Sequence, residues 1–179
     1  MPVQNVGVTV PVAKKYPPLP KEVYQCQLID IENKMESVWG NPNEQEMKII
    51  FTFAVVEDGE FYGRRVYVRA TPKLSKFKGG SNLYKILVGL KGKDMTDAEV
   101  AQPDVFASDE ALNKLIGTQV RLSIGQKEKQ QTPGEFKNVV DSYLPVKTQL
   151  PEFDPDKVSK ESGEQTGADA TVANIDFDE

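Results

Sequence analysis

From residue 45 to residue 57 apolar side chains fall on every second position: Met47, Ile49, Phe51, Phe53 and Val55. The intervening Ile50, Ala54 and Val56 make the other face apolar as well. A period of two is that of a strand, whose successive side chains point to opposite faces. It is the clearest strand of the chain, and both of its faces are fairly apolar. The chain is therefore built around β structure, and its remaining segments must supply the neighbouring strands.

Residues 22–35 read as the first strand, with Tyr24, Cys26 and Leu28 on one face. Ile29 and Ile31 continue on the opposite parity, which predicts a bulge or a sharp bend. Residues 37–45, with Gly40, Asn41, Pro42 and Asn43, read as a loop. Asp58-Gly59 is a turn signal, and residues 61–70 form a third strand with Val66, Val68 and Ala70 inward. Residues 71–80 are a basic, glycine-ended connection. Ser81 then caps a helix whose Leu83, Ile86, Leu87 and Leu90 lie at helical spacing, ending near Gly92. Thr96-Asp97-Ala98-Glu99 has capping-box form, and residues 109–116 make a further short helix stopped by Gly117. Strands at 118–126 and 136–144 close the series, joined by the turn signal Thr132-Pro133-Gly134-Glu135.

Prolines 2, 11, 17, 18 and 20 make residues 1–20 an extended arm. From Pro151 the composition turns acidic and polar, too poor in apolar surface to offset the entropy of ordering, so residues 151–179 are expected to be a disordered tail. Residues 21–150 are left as the folded domain. Three strands, a helical insertion and two strands give a mainly β fold. That order is the layout of a five-stranded OB-fold-like barrel, which binds oligonucleotides on its strand 2–3 face.

The formal charge of −5 is unevenly spread. The tail holds nine acidic residues and two lysines, a net of −7, which leaves +2 on residues 1–150. A polyanionic partner is thus compatible with the body of the protein. Catalysis is poorly supplied. The chain has no histidine, and its lone Cys26 builds neither a disulfide nor a four-cysteine zinc site. Gly92-Lys93 fails as a phosphate loop because Leu87 stands where a glycine is required and Asp94 where Ser or Thr is. Asp94, Asp97 and Glu99 read more simply as helix-start carboxylates than as metal ligands. No run of 18 apolar residues is present, and residues 1–12 lack the form of a secretory signal, so a cytoplasmic protein without a membrane partner is expected.

Nucleic-acid binding is better supplied. In the third strand Arg65, Tyr67 and Arg69 alternate with the inward residues, which sets two guanidiniums and a ring on one face, with Arg64 beside them. Arginines neutralise phosphates and an aromatic ring stacks on bases, although a solvated outer face also carries arginine. Lys73, Lys76 and Lys78 surround Phe77 in the next connection, and contiguity in the chain favours one shared groove. Lys127, Lys129 and Lys137 make the last hairpin basic. Trp39, in the first loop, is either a plug over the barrel end, the favoured reading, or a stacking residue. Tyr24, Phe51, Phe53 and Tyr143 read as core or wall residues, while Phe61 and Tyr62 suit either role. At the chain end Ile175, Asp176, Phe177, Asp178 and Glu179 place apolar side chains among carboxylates, a form suited to a partner's basic-rimmed pocket.

The strand–turn–strand of residues 47–70, the segment Ser81-Asn82-Leu83-Tyr84-Lys85-Ile86-Leu87, the final hairpin through residues 138–145 and the acidic tail together resemble the single-stranded DNA-binding proteins encoded by bacteriophages. The tail is also similar to that of bacterial single-stranded DNA-binding proteins, but it lacks their proline, and Asp178-Glu179 follow Phe177. The resemblance implies an OB-fold that coats single-stranded DNA during replication, recombination or repair in a bacterial host's cytoplasm. It implies no metal or nucleotide cofactor, and a tail that recruits replication or recombination proteins or moderates binding. Whether the protein is a homo-oligomer is left open. The competing expectation is a non-catalytic protein-interaction module of a phage or bacterial assembly, in which the arginine face is ordinary surface.

Overall fold

The computed structural model describes residues 16–161; residues 1–15 of the expected arm, and the tail group Ile175, Asp176, Phe177, Asp178 and Glu179, lie outside them. Five strands, β1 (Val23–Val38), β2 (Asn41–Val55), β3 (Arg65–Ala70), β4 (Gln119–Glu128) and β5 (Phe136–Leu144), form one antiparallel sheet in the order β3-β2-β1-β4-β5. The long β1 is shared. Residues 23–27 pair with β4, while Cys26 onward pairs with β2. The register slips between Leu28 and Asp30, the bulge that the parity change at Ile29 predicts. Beside it, Gly117 and Thr118 hydrogen-bond to the Leu28 carbonyl and N–H at 2.7 and 2.9 Å.

The core follows the period-two pattern. Cys26, Leu28, Phe51, Phe53 and Val55 are buried from one side of the sheet, each large apolar side chain contributing ~1.5–3 kcal/mol. Met47 has the same parity but stands beyond the core and is exposed. Helix α1 (Asn82–Lys91) covers that side with Leu83, Ile86, Leu87 and Leu90. Its ends are those the sequence predicts: the Ser81 side chain accepts from the Tyr84 N–H, and Gly92 closes it at φ 68°. Short helices α2 (Asp97–Val100), α3 (Pro103–Phe106) and α4 (Asp109–Asn113) lead back to β4. The Thr96/Glu99 capping box opens α2. Helix α3 is a turn begun by Pro103, a start signal outside the expected elements.

Three expectations are corrected. Residues 37–45 are not an open loop: β1 and β2 pair almost to the tip, where Trp39 and Gly40, at φ 81°, make the turn. Pro42 is accommodated in the register irregularity between the Ser37–Gln45 and Val38–Asn41 pairs, where no ladder hydrogen bond is asked of it. Second, β3 begins at Arg65 rather than residue 61, because Gly63 at φ 78° turns the chain first. Phe61 then packs edge-on against Tyr24, and Tyr62 is buried.

Third, the chain beyond Pro151 does not leave the fold at once. Gln119 donates to the Leu150 carbonyl at 2.8 Å and accepts from its N–H at 3.0 Å. Gln27 accepts from the Phe153 N–H, and the Tyr62 hydroxyl from the Asp154 N–H, both at 2.9 Å. The segment ends in α5 (Pro155–Glu161), with Val158 against Gly63. Glutamine side chains, the Tyr62 ring stacked on Phe153 and the Lys157–Asp58 ion pair order this stretch, rather than a periodic apolar stripe, so its composition concealed it.

Candidate nucleic-acid interface

The two outermost strands, β3 and β5, each have one sheet neighbour, and the curl of the sheet brings them near each other with α1 packed beside both. Between them runs a groove of about 1430 Å³. One wall is β3, with Arg65, Tyr67 and Arg69. The opposite wall comes from the β4–β5 hairpin and β5, with Lys129, Phe136, Lys137 and Tyr143, and the floor from α1, with Tyr84 and Lys85. Lys93 adds a sixth basic residue to the lining, against Asp94, Glu135 and Asp141. The groove is a basic, aromatic channel.

Its basic side chains differ in how far they are already engaged. Arg65 stands beside Tyr67 and hydrogen-bonds to it, and burial, with Arg65 opposing, raises the Tyr67 phenol pKa. The Arg65 Nε is buried with no hydrogen-bond partner among the described residues. A guanidinium atom so placed lacks the compensation that buried donors ordinarily find. Arg69 instead faces Glu36 of β1, its Nε 3.2 Å from the carboxylate but without hydrogen-bond alignment at those two atoms. Lys129 pairs with Glu135 at 3.1 Å.

Two aromatic walls are seated on glycines. Gly89 of α1 lies so close to Tyr143 that a Cβ there would be 2.7 Å from the Tyr143 Cγ. Burial raises the Tyr143 phenol pKa. Gly80, at φ 100°, leaves room for the Tyr84 ring, whose hydroxyl donates to Asp94. That bond is the main cause holding the Asp94 carboxyl below its ordinary value, with Lys76 at 3.9 Å and the Met95 N–H assisting against partial desolvation.

Of the residues predicted from sequence, Arg65, Tyr67, Arg69, Lys129 and Lys137 come together here. The others do not line the groove. Arg64 is tied to the N-terminal arm, donating to the Pro17 carbonyl at 2.6 Å. Lys76 is held by Asp97 at 3.3 Å, and Phe77, 76% exposed, carries Lys78 over its ring. Of the connection that holds Lys73, Lys76, Phe77 and Lys78, Gly79 reaches the lining: contiguity in sequence does not carry through the turn. Lys127 pairs in register with Lys137 but is exposed outside the groove. Trp39 is 72% exposed at the hairpin tip and plugs nothing.

Tyr16, Tyr84, Lys85, Lys93 and Phe136 line the groove without being among the expected site residues, and Tyr143, expected as a core or wall residue, lines it too. The outward positions of the Ser81–Leu87 motif carried the signal for Tyr84 and Lys85; what brings Tyr143 opposite them is tertiary. Among the described residues no group of three carboxylate or cysteine side chains is placed to hold a metal ion, and no helix is long and apolar enough to cross a membrane. No protein-family model matches the chain, and no curated protein matches its sequence.

Proposed function

We propose that this protein binds single-stranded DNA with little sequence preference and shields it during replication, recombination or repair. The observation that carries this is the groove between β3 and β5. Arg65, Tyr67 and Arg69 of β3 line a channel whose other sides carry lysines and tyrosines. Phosphates would take the guanidinium and ammonium groups, and bases would stack on the rings, chemistry common to all sequences. A duplex has no unstacked bases to offer such rings. We read the curled sheet as an OB-fold barrel, supported by the sharing of β1 between β2 and β4 and by the helix between β3 and β4. The acidic residues beyond α5 would moderate binding or recruit replication or recombination proteins.

Titration of a fluorescently labelled oligo(dT) at low and moderate salt tests this. The expected result is binding that weakens steeply as salt rises. No binding at micromolar protein and low salt overturns it. An oligo(U) titration alongside tests the DNA preference.

One observation favours a second reading, a protein-interaction module. The β1–β2 hairpin leaves Met35, Met47 and Trp39 exposed, with Met35 and Met47 a cross-strand pair. Absence of oligonucleotide binding at micromolar protein and low salt would favour it.

A further inference from the structure

The outer edges of β3 and β5 are bridged by residues 16–19 of the N-terminal arm. On the β5 side Leu19 is fully buried. Its N–H donates to Asn138 Oδ1 at 2.8 Å, and its carbonyl accepts from Asn138 Nδ2 at 2.9 Å and from Gln126 Nε2 at 2.8 Å. One primary amide thus meets both the donor and the acceptor of a single residue, as a paired strand residue would. On the β3 side, the Arg64 guanidinium bonds the Pro17 carbonyl and lies 5.1 Å from the centre of the Tyr16 ring. Pro17, Pro18 and Pro20 hold the stretch extended and bring no N–H that would need a partner.

Tyr16, Pro17 and Pro18 all line the groove, and Tyr16 is half-buried. A ring with a guanidinium against it is held in place and polarised; a base can then stack on it at small entropic cost. We propose that this strap is a built wall of the groove, with Tyr16, backed by Arg64, as a base-stacking platform and Asn138 as the residue that positions it. The assignment rests on the groove being a single-strand site.

The test compares the full-length protein with Tyr16→Ala, Tyr16→Trp and Asn138→Ala by oligo(dT) titration at several salt concentrations, with thermal melts in parallel. Tyr16→Ala is expected to bind on the order of ten-fold more weakly, with an unchanged salt slope and melting point, and Tyr16→Trp to restore binding. Asn138→Ala is expected to weaken binding in the wild-type background and to add little in the Tyr16→Ala background, since both remove the same contact. If the wild type binds and Tyr16→Ala matches it, the platform is wrong. A loss accompanied by a flatter salt slope also overturns it, because the contact would then be ionic. A wild type that does not bind overturns the single-strand site itself, and the platform with it.

Discussion

Gly89 of α1 and Tyr143 of β5 meet without room for a methyl group between them. The helix approaches the last strand closely there, and the floor and one wall of the groove share that contact. Alanine in mid-helix ordinarily stabilises over glycine by about 1 kcal/mol. Here Gly89→Ala is expected to destabilise instead, by about 1–3 kcal/mol, because the Cβ must displace either the Tyr143 side chain or the helix. Urea denaturation of the purified variant gives the sign directly.

Arg65 and Arg69 share a strand and a face, but not an electrostatic situation. A carboxylate, Glu36, already faces Arg69, whereas the neighbour that Arg65 hydrogen-bonds is the neutral phenol of Tyr67. Arg65→Ala is therefore expected to weaken oligo(dT) binding more than Arg69→Ala, lowering the salt slope by about 0.7 for one lost phosphate contact. Glu36→Gln should act in the opposite direction, strengthening binding by freeing positive charge. Three salt titrations decide the order.

The sequence reports strands well because parity is local: the β2 core face, the bulge near Ile29 and the outward Arg65, Tyr67 and Arg69 all follow from period two. The caps at Ser81 and Gly92 are equally local. What faces the β3 wall is not. Tyr84 and Tyr143 reach the groove because α1 and β5 converge at Gly89, and nothing in either segment alone encodes that meeting. Gln25, Gln27 and Gln119 are hidden for a related reason. Buried glutamines among strand residues look like ordinary polar positions until the chain segments they bind are known.

Those glutamines set where the tail begins. Cutting after residue 161 is expected to leave the melting point unchanged and the oligo(dT) affinity unchanged or tighter, since negative charge is removed. Cutting after residue 147 leaves the Gln25–Gln119 hydrogen bond but removes the backbone partners at Thr148, Leu150, Phe153 and Asp154 from Gln25, Gln119, Gln27 and Tyr62, leaving buried polar groups to find water. That truncation should lower the melting point clearly. Gln119→Leu should accelerate amide exchange at Leu150, whose N–H it holds.

The Tyr84–Asp94 hydrogen bond gives stability a dependence on acid. The folded-state pKa of Asp94 is depressed, chiefly by Tyr84. Its contribution is therefore fully present above the ordinary value of 3.8 and is lost as pH falls through the lower folded value. Tyr84 is raised by the same bond, so its contribution is present below 10 and is lost as pH climbs above that. Asp94→Asn is expected to flatten both limbs, measured as urea midpoints across pH.

Trp39 separates two accounts of the first hairpin with a single fluorophore. It is the chain's one tryptophan and is 72% exposed at a two-residue turn, away from the groove lining. A plug over the barrel end would be shielded, and its loss would leave a cavity costing several kcal/mol. Trp39 as placed is expected to emit as a water-exposed indole and to be quenched by acrylamide nearly as fully in the native protein as in urea. Trp39→Ala should change stability by no more than about 0.5 kcal/mol, as for ordinary surface positions. Oligo(dT) added to the native protein should leave its quenching unchanged if the strand keeps to the channel between β3 and β5. Strong protection by oligo(dT) would instead extend the binding path along the β1–β2 hairpin, toward the Met35–Met47 pair.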